Sequence, residues 1–173
     1  LFLSACSGGS SGGVASTPTP VPTPANTTMT NLNASQSFVN DAASTTVSFD
    51  LVTNTGIQGS GMRSSLTIQY DAATKAYTVT QGARSQTFAQ TDIVPSGAGE
   101  TRFKKSPDAT TNEYLTLVQV PYSGQTATQY VGLGYWQSNK LAASRQNTEF
   151  TAFTYGLPTG SAAVPRTGVA GFS

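Results

Sequence analysis

The chain has no histidine, one cysteine and little charge. Each shortage removes a class of chemistry. Without histidine, the commonest general base near neutral pH and the commonest metal ligand are both missing. With Cys6 the only thiol, no disulfide can form within the chain, and the fold is expected to hold by its core alone. Charged residues make up 10% of the sequence, against about 25% in an average domain. The formal net charge is +1, with no acidic or basic block. Electrostatic capture of nucleic acid or of an anionic membrane is therefore not supported. No apolar run approaches the ~18 residues of a membrane-spanning helix. There is no Gly-x-Ser-x-Gly, Walker loop or dinucleotide fingerprint. Gly59-Ser60-Gly61 and Gly97-Ala98-Gly99 read as loop glycines. No catalytic set, metal site or cofactor is indicated.

The position of the one cysteine is informative. Leu3-Ser4-Ala5-Cys6 places small residues before a cysteine after a short apolar stump, and residues 1–5 read as the remnant of a signal peptide. The run resembles a bacterial lipobox, in which cleavage before the cysteine is followed by acylation. Two or more buried acyl chains, at ~0.8 kcal/mol per methylene, anchor stably where one does not. Cys6 is thus the expected lipidation site, and the membrane an expected partner through that anchor. Ser7 to Gly13 is Gly/Ser-rich, and Thr17 to Pro24 alternates proline with small residues. That composition favours extended polyproline II and reads as a stalk. Residues 6–29 are accordingly taken as lipidated cysteine plus linker.

From about residue 30 the pattern is all β. Val47, Phe49 and Leu51 share one face of an alternating run, as do Leu66, Ile68 and Tyr70. Asp71 heads a polar turn, its carboxylate expected to cap backbone amides, and Tyr77-Thr78-Val79-Thr80 completes a hairpin. Further strands are expected at Ser85–Phe88, Tyr114–Val120 (stopped by Pro121), Gln129–Trp136 and Phe150–Tyr155. Short strands with turn signals between them indicate an antiparallel sheet, sandwich or barrel. Gly132 and Gly134 alternate on one face, where a neighbouring backbone or aromatic ring can approach closely.

Other residues carry two readings. The eight carboxylates are scattered, mostly beside turn residues. Lys104 and Lys105, beside Arg102 and Phe103, form the one basic cluster. They read either as a partner-binding patch or as a solvated strand edge that discourages aggregation. Tyr130, Tyr135 and Trp136 form an aromatic group suited to a binding surface and equally to a small β-core. These five residues are the candidate ligand-binding positions.

Phe153-Thr154-Tyr155-Gly156-Leu157-Pro158-Thr159, followed by Ala162-Ala163-Val164-Pro165-Arg166-Thr167-Gly168-Val169-Ala170, resembles a junction in transferrin-binding protein B-like surface lipoproteins. The Cys6 motif, the linker and Val131-Gly132-Leu133-Gly134-Tyr135-Trp136 are similar to the single-unit α-proteobacterial members. The resemblance implies a handle-type β-domain over 30–167 and the first strand of a truncated eight-stranded barrel over 168–173. It further implies an outer-membrane lipoprotein, its surface or periplasmic face unassigned, that binds a protein or solute ligand without catalysis. A role in metal or iron acquisition beside a TonB-dependent receptor would follow. No transferrin-contacting residue of that family is matched here, and none is carried over. The alternative is a structural or adhesive envelope lipoprotein with no soluble ligand.

Overall fold

The computed structural model describes residues 26–59, 61–119 and 130–157. Cys6, the Gly/Ser/Pro segment, Pro121 and residues 158–173 lie outside them, as do the expectations placed there.

Ten strands form one antiparallel sheet: β1 Gln36–Asp50, β2 Thr55–Gln58, β3 Met62–Asp71, β4 Ala76–Gln81, β5 Arg84–Phe88, β6 Ile93–Val94, β7 Glu100–Lys105, β8 Thr111–Val118, β9 Val131–Ala142 and β10 Arg145–Gly156. The expectation of an antiparallel all-β fold holds. Of the architectures left open, the chain adopts a single sheet curled into a half-barrel. The order is β5-β4-β3-β1-β10-β9-β8-β7-β6, with β2 also on β1. Two meanders therefore meet where β1 pairs with β10, Ala42 opposite Phe153 and Asp50 opposite Arg145.

The two ends of the sheet curl toward each other. Phe88 on β5 and Phe103 on β7 bring their rings to 6.1 Å, and Tyr77 meets Phe103 edge-on at 5.9 Å. Lys105 Nζ donates to the Thr87 carbonyl at 3.0 Å. The concave side is the core, and period-2 alternation decides who enters it. Leu66, Ile68 and Tyr70, then Leu115 and Leu117, Trp136, and Phe153 and Tyr155 all turn inward and are buried. Met29, before the first strand, is buried among them.

β1 runs further than the sequence pattern indicates, and its core residues are Phe38, Ala42 and Ser44. Val47 and Phe49 have the opposite parity and face the outer side, while Leu51 lies in the turn beyond the strand and is 49% exposed. β1 pairs with β3 as far as Ser44–Met62 and with β2 from Val47–Gln58 onward. β7 was not legible as a strand, because Arg102, Lys104 and Lys105 leave one core residue, Phe103, in six.

Gly132 and Gly134 behave as expected. They lie opposite Tyr155 and Phe153 across the β9–β10 ladder. A Cβ on Gly132 would sit 2.7 Å from Tyr155 Cε1, and one on Gly134 would overlap the Phe153 ring. Asp71 also caps its turn, accepting from Ala73 N at 2.8 Å and Thr74 N at 3.1 Å.

Candidate functional site: a polar layer beneath an open cleft

One end of the concave face is polar, and a hairpin tip places its key residue. At the β4–β5 turn Gly82 has φ 58°, the left-handed backbone such a two-residue connection needs and glycine supplies. Gln81 and Arg84 pair across that turn and both point into the half-barrel.

Arg84 crosses the interior. Its guanidinium carbon lies 3.6 Å from the centroid of Trp136. Nη2 donates to Glu113 Oε2 at 3.1 Å, and Nη1 lies 2.9 Å from Glu149 Oε2. The latter contact is an ion pair by distance without hydrogen-bond alignment, since Nη1, like Nε, has no aligned acceptor. Glu113 is 7% exposed and its carboxylate is fully engaged. Oε2 also accepts from Trp136 Nε1 at 2.8 Å, and Oε1 accepts from Ser138 Oγ at 2.7 Å. Such satisfaction is what permits a buried carboxylate.

Gln81 completes the layer. Its Nε2 donates to Ser44 Oγ at 2.9 Å and Ser64 Oγ at 2.6 Å, and its Oε1 accepts from Thr151 Oγ1 at 3.2 Å. Ser44 and Thr151 hydroxyls are 2.9 Å apart. The layer ties the β4–β5 tip to β1, β3, β8, β9 and β10, and separates the apolar core from solvent.

Beyond it the sheet continues as a grid of inward-facing polar residues. Register sets Thr46 beside Glu149 beside Ser138, and next Ser48 beside Asn147 beside Lys140. They line an open cleft of about 490 Å³, with the 68%-exposed Ile57 supplying apolar surface. A smaller groove of about 320 Å³ lies near Ala43, Ala152, Arg63 and Leu133. Among the described residues, no group of three His, Cys, Asp or Glu side chains is placed to hold a metal ion.

The five candidate residues are scattered. Trp136 is fully buried and part of the polar layer. Tyr135, its chain neighbour, faces the opposite side and stacks on Phe150 at 5.4 Å. Tyr130 is 60% exposed, outside any strand. Lys104 is exposed near the Tyr114 ring, 6.0 Å from its centroid, on the outer face. Lys105 reaches the β5 backbone instead. The three aromatics therefore form no common surface, because adjacent strand residues point to opposite faces. Neither Arg84, Glu113 nor Glu149 was singled out from sequence. The available signal was phase: Glu113 alternates with Leu115 and Leu117, Glu149 with Thr151 and Phe153, and Arg84 with Phe88.

Comparison with family models, curated proteins and solved structures found no match to this chain.

Proposed function

We propose that this chain is the folded part of a lipid-anchored, non-catalytic bacterial outer-membrane binding protein of the transferrin-binding protein B-like type. Cys6 is the acylated residue, the segment after it the stalk, and the half-barrel the ligand-binding module. It would serve capture of a protein or solute, metal or iron carriers included, beside a TonB-dependent receptor.

The observation that carries the binding reading is the division of labour among polar groups. The charges of the polar layer are paired with one another: Arg84 is held by Glu113, Glu149 and Trp136. A general acid or base needs a group free to exchange a proton with substrate, and Glu113 already has three donors. The cleft above offers hydroxyl, amide and ammonium groups, with the Glu149 carboxylate paired to Arg84 at its floor, a set that suits recognition.

Two measurements test this reading. A palmitate analogue should label the protein in its host and fail to label Cys6→Ser; label that survives the substitution removes the anchor. Cross-linking of the tagged protein on intact cells should recover a discrete ligand or a TonB-dependent receptor. Recovery of envelope polymer alone, with no protease access from outside, favours the structural or adhesive alternative.

A further inference from the structure

We propose that the cleft above the Arg84 layer is a saccharide site, taking an uncharged, polyhydroxylated ligand. This rests on the binding reading above but not on the anchor at Cys6.

Thr46, Ser48, Lys140 and Asn147 make no side-chain hydrogen bond or ion pair within the described residues, and all four line the cleft. Glu149 also lines the cleft, with one oxygen, Oε2, beside Arg84. The side chain of Glu149 is 39% exposed. Hydroxyls and amides both donate and accept, the carboxylate accepts and the ammonium donates. A sugar hydroxyl, itself donor and acceptor, can be met by every member of such a set. Sulfate offers acceptors only and phosphate near neutral pH mostly acceptors, so neither serves the Glu149 carboxylate as a sugar hydroxyl does.

Lys140 and Glu149 are the charged residues lining the cleft, and they are of opposite sign. The site therefore has no net attraction for an anion or a cation, and among the described residues no metal-binding cluster exists.

The six polar positions come from three adjacent strands in strict register: Thr46, Glu149 and Ser138 in one row, Ser48, Asn147 and Lys140 in the next. Strands stand about 4.8 Å apart, and same-face residues about 6.8 Å apart along a strand. The result is a fixed lattice of hydrogen-bonding groups, as a ligand with hydroxyls fixed around a ring requires. Ile57 at the edge gives apolar surface for the C–H face of such a ring. The floor is pre-organised by Glu113, which fixes Ser138 and Arg84, and by Arg84, which fixes Glu149. A cleft of about 490 Å³ falls within the usual ~300–1,000 Å³ of small-ligand sites.

The same chemistry has two sources: free oligosaccharide, or the glycan of envelope polymers. The full chain, ¹⁵N-labelled, is titrated with neutral tetrasaccharides of glucose and of N-acetylglucosamine, with soluble cell-wall glycan fragments, and with inorganic phosphate. Expected is saturable movement of the Ser48, Lys140 and Asn147 amides with at least one saccharide, and none with phosphate. Response to the cell-wall fragments alone assigns the envelope source; response to the tetrasaccharides assigns a free sugar. Asn147→Ala, at an exposed position, should weaken binding about tenfold, whereas Thr154→Ala on the outer face should leave it unchanged. Absence of any response at millimolar sugar overturns the proposal. So does binding that Asn147→Ala leaves intact, or a phosphate response at the same amides. Discrete protein capture on cells with a silent titration would sink the saccharide site alone and leave the binding reading standing.

Discussion

Arg84 packs over Trp136, its guanidinium carbon 3.6 Å from the ring centroid, while both residues donate to the same oxygen of Glu113. Cation, aromatic ring and carboxylate thus form one unit between the β4–β5 tip and the β8–β9 pair. Removing one member leaves the others with fewer partners in a largely buried site.

Arg84→Met tests this directly. It strips the buried Glu113 of its cationic partner, and breaking such a pair costs roughly 3–5 kcal/mol. The lower end is expected, because Trp136 and Ser138 still donate to Glu113 and the Arg84 side chain is 23% exposed. Urea unfolding followed by the emission of Trp136, the sole tryptophan, measures the loss. Glu113→Gln should cost less, about 1–3 kcal/mol, since it removes charge but keeps a hydrogen-bonding side chain.

Gly134→Ala should destabilise by about 3 kcal/mol. The added methyl overlaps the Phe153 ring directly opposite, and overpacking a filled core forces side chains off their rotamers. Adding Phe153→Leu to Gly134→Ala should recover part of the loss. An alanine at 134 that leaves the urea midpoint unchanged would refute the close ring approach.

Alkaline stability should track Tyr77. Burial first, and then neighbouring Tyr70, push its phenol up to about 12, against about 10 for an unfolded tyrosine. The folded state therefore resists ionisation. The stability this represents is fully present below pH 10 and is lost as pH rises toward 12, on the order of 2 kcal/mol. Burial acts in the same direction on Tyr155. Tyr77→Phe should move the alkaline unfolding midpoint upward, read by tyrosinate absorbance alongside circular dichroism.

Asp108 makes the acid-side prediction. A hydrogen bond from the Thr110 hydroxyl, followed by the Thr110 backbone amide, holds its carboxyl at about 2. A depressed pKa gives a contribution present above the unfolded value near 3.9 and lost as pH falls toward 2. Carboxyl ¹³C titration should place Asp108 at about 2, and Thr110→Val should return it toward the ordinary range.

What could be read without the structure was local. Alternation of apolar and polar residues in 66–70, 77–80 and 114–118 specified strands, since a two-residue period exposes one face and buries the other. Asp71 announced its turn because a carboxylate capping the next amides is a contact within a few residues. Gly132 and Gly134 announced a close approach because only a missing side chain allows one. The shortage of charge and the absence of histidine bounded the chemistry. Tertiary structure alone decided that Arg84, Glu113 and Glu149 would meet, because their strands become neighbours across the interior only when the sheet curls. Alternation alone puts Tyr135 and Trp136 on opposite faces, but the tertiary structure chose Trp136 as the inward one, since which parity faces inward is settled by the curl and by the strands packed across it. The cleft has the same origin: six polar residues, individually ordinary, become a lattice only when β1, β10 and β9 lie side by side in register.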